Sequence, residues 1–201
     1  MDYTEYKKPE YFWNRELSWL GFDERILGEA KDKQIPLFER LKFLSITSSN
    51  LDEFFMVRVA SLKDMVHAGS PKVQLRHISV KTHNLVEEQY RVYTRSLLPA
   101  LRKAGLQVIG SHEELTKGQG AFVDTYFEEN IYPVLTPMAM DSSRPFPLIR
   151  NKTLNLGALI RKKEGKKNKE ELEFATVQVP SVLPRFVELP KGEDGERKII
   201  L

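Results

Sequence analysis

Between Ser18 and Gly105 the apolar residues return every three or four positions, and this period commits the first half of the chain to helices. The first predicted helix runs from Ser18 to Asp32, with Trp19, Phe22, Ile26 and Ala30 on one face and Ser18 as its N-cap. Gly21 and Gly28 each weaken it by about 1 kcal/mol relative to Ala, so packing must compensate. A second helix opens at Pro36, where a missing N–H costs nothing, and buries Leu37, Leu41 and Leu44. The polar run Thr47-Ser48-Ser49-Asn50 is expected to end it. Asn50 followed by Glu53 has the form of a capping box that starts a third helix, with Leu51, Phe55, Val59, Leu62 and Val66 on one face and Gly69 as its stop. The fourth stretch, Ser79 to Ala104, carries Val86, Tyr90, Tyr93, Leu97 and Leu101. Pro99 should kink or interrupt it, and Gly105 should close it. Four helices joined by short connections predict an antiparallel helical bundle.

After Gly105 the pattern changes. Leu106–Ile109 reads as a strand, 119–132 as a helix, and Pro133 and Pro137 then break the pattern. Asn155–Arg161 and Glu173–Val179 read as a hairpin around a polar turn, with further strands at Phe186–Leu189 and Arg197–Leu201. The fold class expected is therefore α+β. A helical domain over 1–107 precedes an α+β domain over 108–201. The last strand stops at its apolar peak, Ile199-Ile200-Leu201, which suggests a piece of something longer.

The composition excludes several function classes. With 201 residues, 41% hydrophobic and 29% charged, the chain has the make-up of a soluble globular protein. It has no apolar run of about 18 residues, so no membrane span is expected. Its opening lacks a basic segment followed by an apolar stretch, so no secretory signal is expected. Without cysteine there are no disulfides and no thiolate chemistry, which fits the cytosol. A net charge of +3 is too weak to imply nucleic acid as a partner.

Motifs that carry chemistry are mostly missing. There is no P-loop, no Gly-x-Gly-x-x-Gly, no Gly-x-Ser-x-Gly elbow and no His-Glu-x-x-His helix. His67, His77, His83 and His112 do not pair at a spacing of three or four and read as surface or helix-end residues. Asp52-Glu53 reads as a complement to the positive end of a helix rather than as a metal site. Six Lys or Arg between Arg161 and Lys169 make the hairpin tip either a solvated turn or a landing place for a polyanion. Trp13, Trp19, Phe22, Phe54 and Phe55 offer faces for a base, but their helical period favours packing. On these grounds alone the chain reads as an interaction or scaffold module without its own active site.

Longer strings are more specific. NRELSWLGFDERIL over 14–27, PLFERLKFL over 36–44 and SSNLDEFFMVR over 48–58 together resemble the opening of the histidine-type polyphosphate kinases. Arg144-Pro145-Phe146-Pro147, Leu154-Asn155-Leu156, Val179-Pro180 and Pro184-Arg185-Phe186-Val187 resemble that family's head domain. Asp23 stands where the family often has Asn, and Ser49 where Asn is common.

The resemblance implies an N-terminal helical domain that caps the nucleotide site. A partial head domain, truncated at its C-terminus, would contribute to homo-oligomer contacts. It implies reversible transfer of the ATP γ-phosphate to inorganic polyphosphate through a phosphohistidine, with Mg²⁺. The histidines, arginines and metal ligands of that chemistry belong to two later domains of phospholipase D type, so no catalytic residue, no metal ligand and no activity are expected within these residues. One residue carries over, Asn50, as an ATP contact, and its capping role stands beside that reading. Asn50→Asp is expected to keep the fold, since Asp caps a helix about as well as Asn, and to impair ATP use; a variant like wild type in both would leave Asn50 only a cap. The implied location is cytoplasmic, including the membrane periphery. The alternative is a stand-alone helical adaptor.

Overall fold

The computed structural model describes residues 4–67, 72–140, 146, 148–161, 172–192 and 195–201. Contacts divide the chain into two units, Met1–Gly105 and Leu106–Leu201.

The first unit is helical. Its helix α1 (Arg15–Lys31) starts three residues before Ser18, because Asn14 is the cap: its side-chain oxygen accepts from Leu17 N at 3.0 Å. This register rotates the buried face. Glu16, Leu20, Asp23, Leu27 and Ala30 point inward, whereas Phe22 is 44% exposed. The sequence reading chose the stripe through Phe22 because the true stripe has a carboxylate at its centre.

The second and third predicted helices are one continuous rod. Helix α2 (Leu37–Glu53) passes through the polar run without a break, widens into a π-helical segment over Phe54–Val59, and continues as α3 (Ala60–His67). The capping box at Asn50 does not exist, and Asp52 and Glu53 end α2 rather than begin a helix. The polar residues do not stop the helix because tertiary partners satisfy them. Gln89 Nε2 donates to Ser48 Oγ and to Leu44 O, and Asn50 turns toward α1. The extra residue in the π segment also shifts the buried stripe, so Phe54 is buried where Phe55 was expected.

Helix α4 (Lys72–Val92) starts seven residues before the expected Ser79 and buries Ile78, Thr82, Leu85, Gln89 and Val92, leaving Tyr90 exposed. A π-helical segment over Tyr93–Leu97 precedes α5 (Leu98–Lys103), with Pro99 in its first turn. This is the interruption Pro99 predicts, since the wider turn accommodates the ring and the absent N–H. Gly105 follows at φ +82°, a conformation open to glycine and unfavourable for other residues, and ends the helix. The expected stop at Gly69 and the Ser70–Pro71 loop lie outside the described residues.

The core of this unit gathers Leu20, Leu27, Ala30, Leu44, Leu51, Phe54, Ile78, Leu85 and Leu97. Arg40 is buried with them. It donates from Nε to Ala30 O (2.9 Å) and from Nη2 to Ser96 Oγ (2.8 Å). The guanidinium thus sits on a carbonyl at the C-terminal, negative end of α1, where a cation is favoured.

Among the described residues the second unit holds two three-stranded sheets. In one, β1 (Leu106–Ile109) pairs in parallel with β6 (Arg197–Ile200), which pairs antiparallel with β5 (Val187–Glu188). In the other, β4 (Leu172–Val179) lies between β2 (Thr136–Ala139) and β3 (Leu154–Arg161), antiparallel to both. The β3–β4 hairpin is as expected, and its basic tip lies outside the described residues. Gly157 in β3 is needed beside Phe174, since a Cβ there would meet the Phe174 ring at 3.0 Å. Strand β2 was missed because it contains Pro137. It is an edge strand, where a residue that cannot donate is tolerated.

Helix α6 (Lys117–Tyr126) opens on a capping box built by Thr116 and Gln119 and runs into a π-helical segment over Phe127–Ile131. Thr116→Ala is expected to cost about 1 kcal/mol, readable as a lower urea midpoint with an unchanged slope.

Candidate nucleotide site

The polar seam between α1 and α2 centres on Asp23 and Asn50. Asn50 lies near the end of α2, and its Nδ2 donates to Asp23 Oδ1 at 2.9 Å. Asp23 is fully buried, and its second oxygen, Oδ2, has no hydrogen-bond partner among the described residues. Burial raises the Asp23 carboxyl to about 6, against the opposing effect of the Asn50 hydrogen bond. Asn50 itself is half-buried, and its Oδ1 has no partner among the described residues. An ionised carboxylate only accepts, so the bond to Asp23 settles which way the amide faces. Oδ1 and the second Nδ2 proton remain for a ligand.

One helical turn away on each helix, Trp19 and Phe54 stack at 4.5 Å with 6° between their planes, and Phe55 meets Phe54 edge-on. A pocket of about 300 Å³ opens beside this stack and is lined by Arg15, Arg25 and Arg58.

His77 and His83 are exposed on α4, and His83 Nδ1 lies 2.7 Å from Ser79 O. His112 Nε2 lies 3.0 Å from Asp124 Oδ1 at the surface of the second unit. The His67 side chain and the basic hairpin tip lie outside the described residues. No three His, Asp or Glu side chains converge among the described residues. Asp23 is what sequence reasoning missed. Its signal was present, since Leu20, Asp23, Leu27 and Ala30 share a helical period with a carboxylate in the middle.

Two family models match in order along the chain: the polyphosphate kinase N-terminal domain over residues 12–109 and the polyphosphate kinase middle domain over residues 118–201. The chain belongs to the polyphosphate kinase family. It is 52% identical to a polyphosphate kinase of Halalkalibacterium halodurans and 49% identical to one of Bacillus anthracis, over 96% and 95% of its length. It spans 28% of the length of each of these curated relatives. The crystal structure of polyphosphate kinase from Porphyromonas gingivalis superposes with a TM-score of 0.81 at 34% identity, covering 94% of this chain and 28% of that one. The α+β fold class expected from sequence agrees with this neighbour. The adaptor alternative finds no support in these matches.

Proposed function

We propose that these residues are the N-terminal part of a longer polyphosphate kinase, and that their share of the work is to hold ATP and support assembly. The enzyme moves the terminal phosphate of ATP reversibly onto polyphosphate through a phosphohistidine carried outside these residues. Histidine suits that role as a covalent carrier. When bound, Mg²⁺ offsets charge on the phosphates. On this reading the 201 residues alone have no kinase activity. The second unit contributes to homo-oligomer contacts, and the enzyme works in the cytoplasm or at the membrane periphery. No helix among the described residues is long and apolar enough to cross a membrane.

The observation that carries the nucleotide reading is the held amide of Asn50. Asp23 takes one Nδ2 proton, and the amide then offers an acceptor and a donor side by side. Adenine presents the complementary pair, an exocyclic amine donor beside a ring-nitrogen acceptor. Two such hydrogen bonds are worth roughly tenfold in affinity once water competition is counted. Asn50→Ala in the full-length enzyme, assayed at a temperature where circular dichroism shows it folded, is therefore expected to raise KM for ATP about tenfold. KM for polyphosphate should be unchanged. An unaltered KM for ATP would leave Asn50 a purely structural residue.

A further inference from the structure

The pocket beside the Trp19–Phe54 stack is positively charged without a matching acid. Three guanidiniums, those of Arg15, Arg25 and Arg58, share its lining with one carboxylate, Glu16. Glu16 is only 8% exposed and is already engaged, accepting from Gln74 Nε2 at 2.8 Å and from Arg15 Nε at 3.4 Å. Arg25 and Arg58 have no carboxylate partner among the described residues. The lining therefore holds an excess of two positive charges. Gathering arginines is unfavourable unless an anion joins them, and a planar guanidinium fork suits phosphate oxygens in particular.

The aromatic residues decide what kind of anion fits. Trp19 and Phe54 turn ring faces to each other, and the Arg25 guanidinium lies 5.8 Å from the centre of the Phe22 ring. These rings wall the pocket: Phe54 is buried against Trp19, and Phe22 carries the Arg25 guanidinium. The feature that remains is charge on an apolar floor. We propose that this pocket binds a linear inorganic oligophosphate, through Arg15, Arg25 and Arg58. The ligand class rests on the polyphosphate reading above, and the pocket itself rests on geometry alone. Its lining does not include Asn50, whose amide recognises a base on the reading above.

The test is isothermal titration of tripolyphosphate into the 201-residue chain at low and high salt. Arg25→Gln and Arg58→Gln are each expected to weaken binding about tenfold, with thermal melting unchanged. Each should also lower the slope of log affinity against log salt by about one. Lys103→Gln, an equal charge change on exposed α5, should have no such effect, and adenosine binding should not respond to Arg58→Gln. The proposal is overturned if tripolyphosphate does not bind. It is equally overturned if the Arg variants bind like wild type while Lys166, Lys167 and Lys169→Ser abolishes binding, or if adenosine weakens in parallel. Polyphosphate synthesis by the full-length enzyme tests the family reading separately. An active enzyme whose N-terminal chain ignores tripolyphosphate would sink the pocket alone.

Discussion

Asn50→Asp is expected to lose about 1–3 kcal/mol of stability at pH 7, the cost of leaving the buried Asp23 carboxylate without its donor and facing a second, half-buried one. The substitution replaces the donor Nδ2 with an oxygen at 2.9 Å from Asp23 Oδ1. Two carboxylates that close cannot both ionise, so one must hold a proton that solvent at pH 7 would remove. As pH falls toward 5 the pair can share that proton, and the deficit should shrink. Urea unfolding at pH 7 and pH 5 reads both effects. The capping interpretation drawn from sequence predicts the opposite, because Asp caps a helix about as well as Asn. A variant that unfolds like wild type at pH 7 would show that Asn50 and Asp23 do not meet.

Asp23→Asn should change the pH dependence of stability, and its sign follows from the direction of the shift. The carboxyl titrates near 3.8 when unfolded and at about 6 in the fold. Below about pH 3 both states hold the proton and Asp23 has no pH-dependent effect. As pH rises from 4 to 6 the unfolded state gives up its proton first, so the folded state becomes relatively less stable. Above pH 6 the full penalty, about 3 kcal/mol, is in place. Asparagine does not titrate. The stability of Asp23→Asn relative to wild type should therefore rise by about 2–2.5 kcal/mol between pH 4 and pH 7, whatever constant offset a new buried amide adds. Glu88, held down by its hydrogen bond to Lys31, works in the opposite sense, but it is common to both proteins and cancels in the difference. A difference that stays flat across this range would mean the carboxyl is not buried as described.

Both predictions concern a contact between residues 27 positions apart on different helices. The sequence was informative wherever the determining interaction is local. The helical period, Gly105 as a stop, the interruption at Pro99 and the β3–β4 hairpin all follow from neighbours within a few positions. Family membership was legible for a related reason, since it is written in contiguous strings of residues.

Errors arose where a distant partner overrides a local preference. Ser48 and Asn50 favour a helix end in isolation, but Gln89 and Asp23 satisfy them inside a continuous helix. Pro137 argues against a strand, but the sheet order places it at an edge. The parallel pairing of β1 with β6 joins residues about ninety positions apart, and no local pattern announces it. Sequence alone placed most of the helices and the strands other than β2, and named Asn50 through its motif. The tertiary structure decided which face of each helix is buried, because that depends on which polar groups find partners across the core. It therefore also decided that a buried carboxylate at Asp23 could be kept, and that Asn50 would hold it.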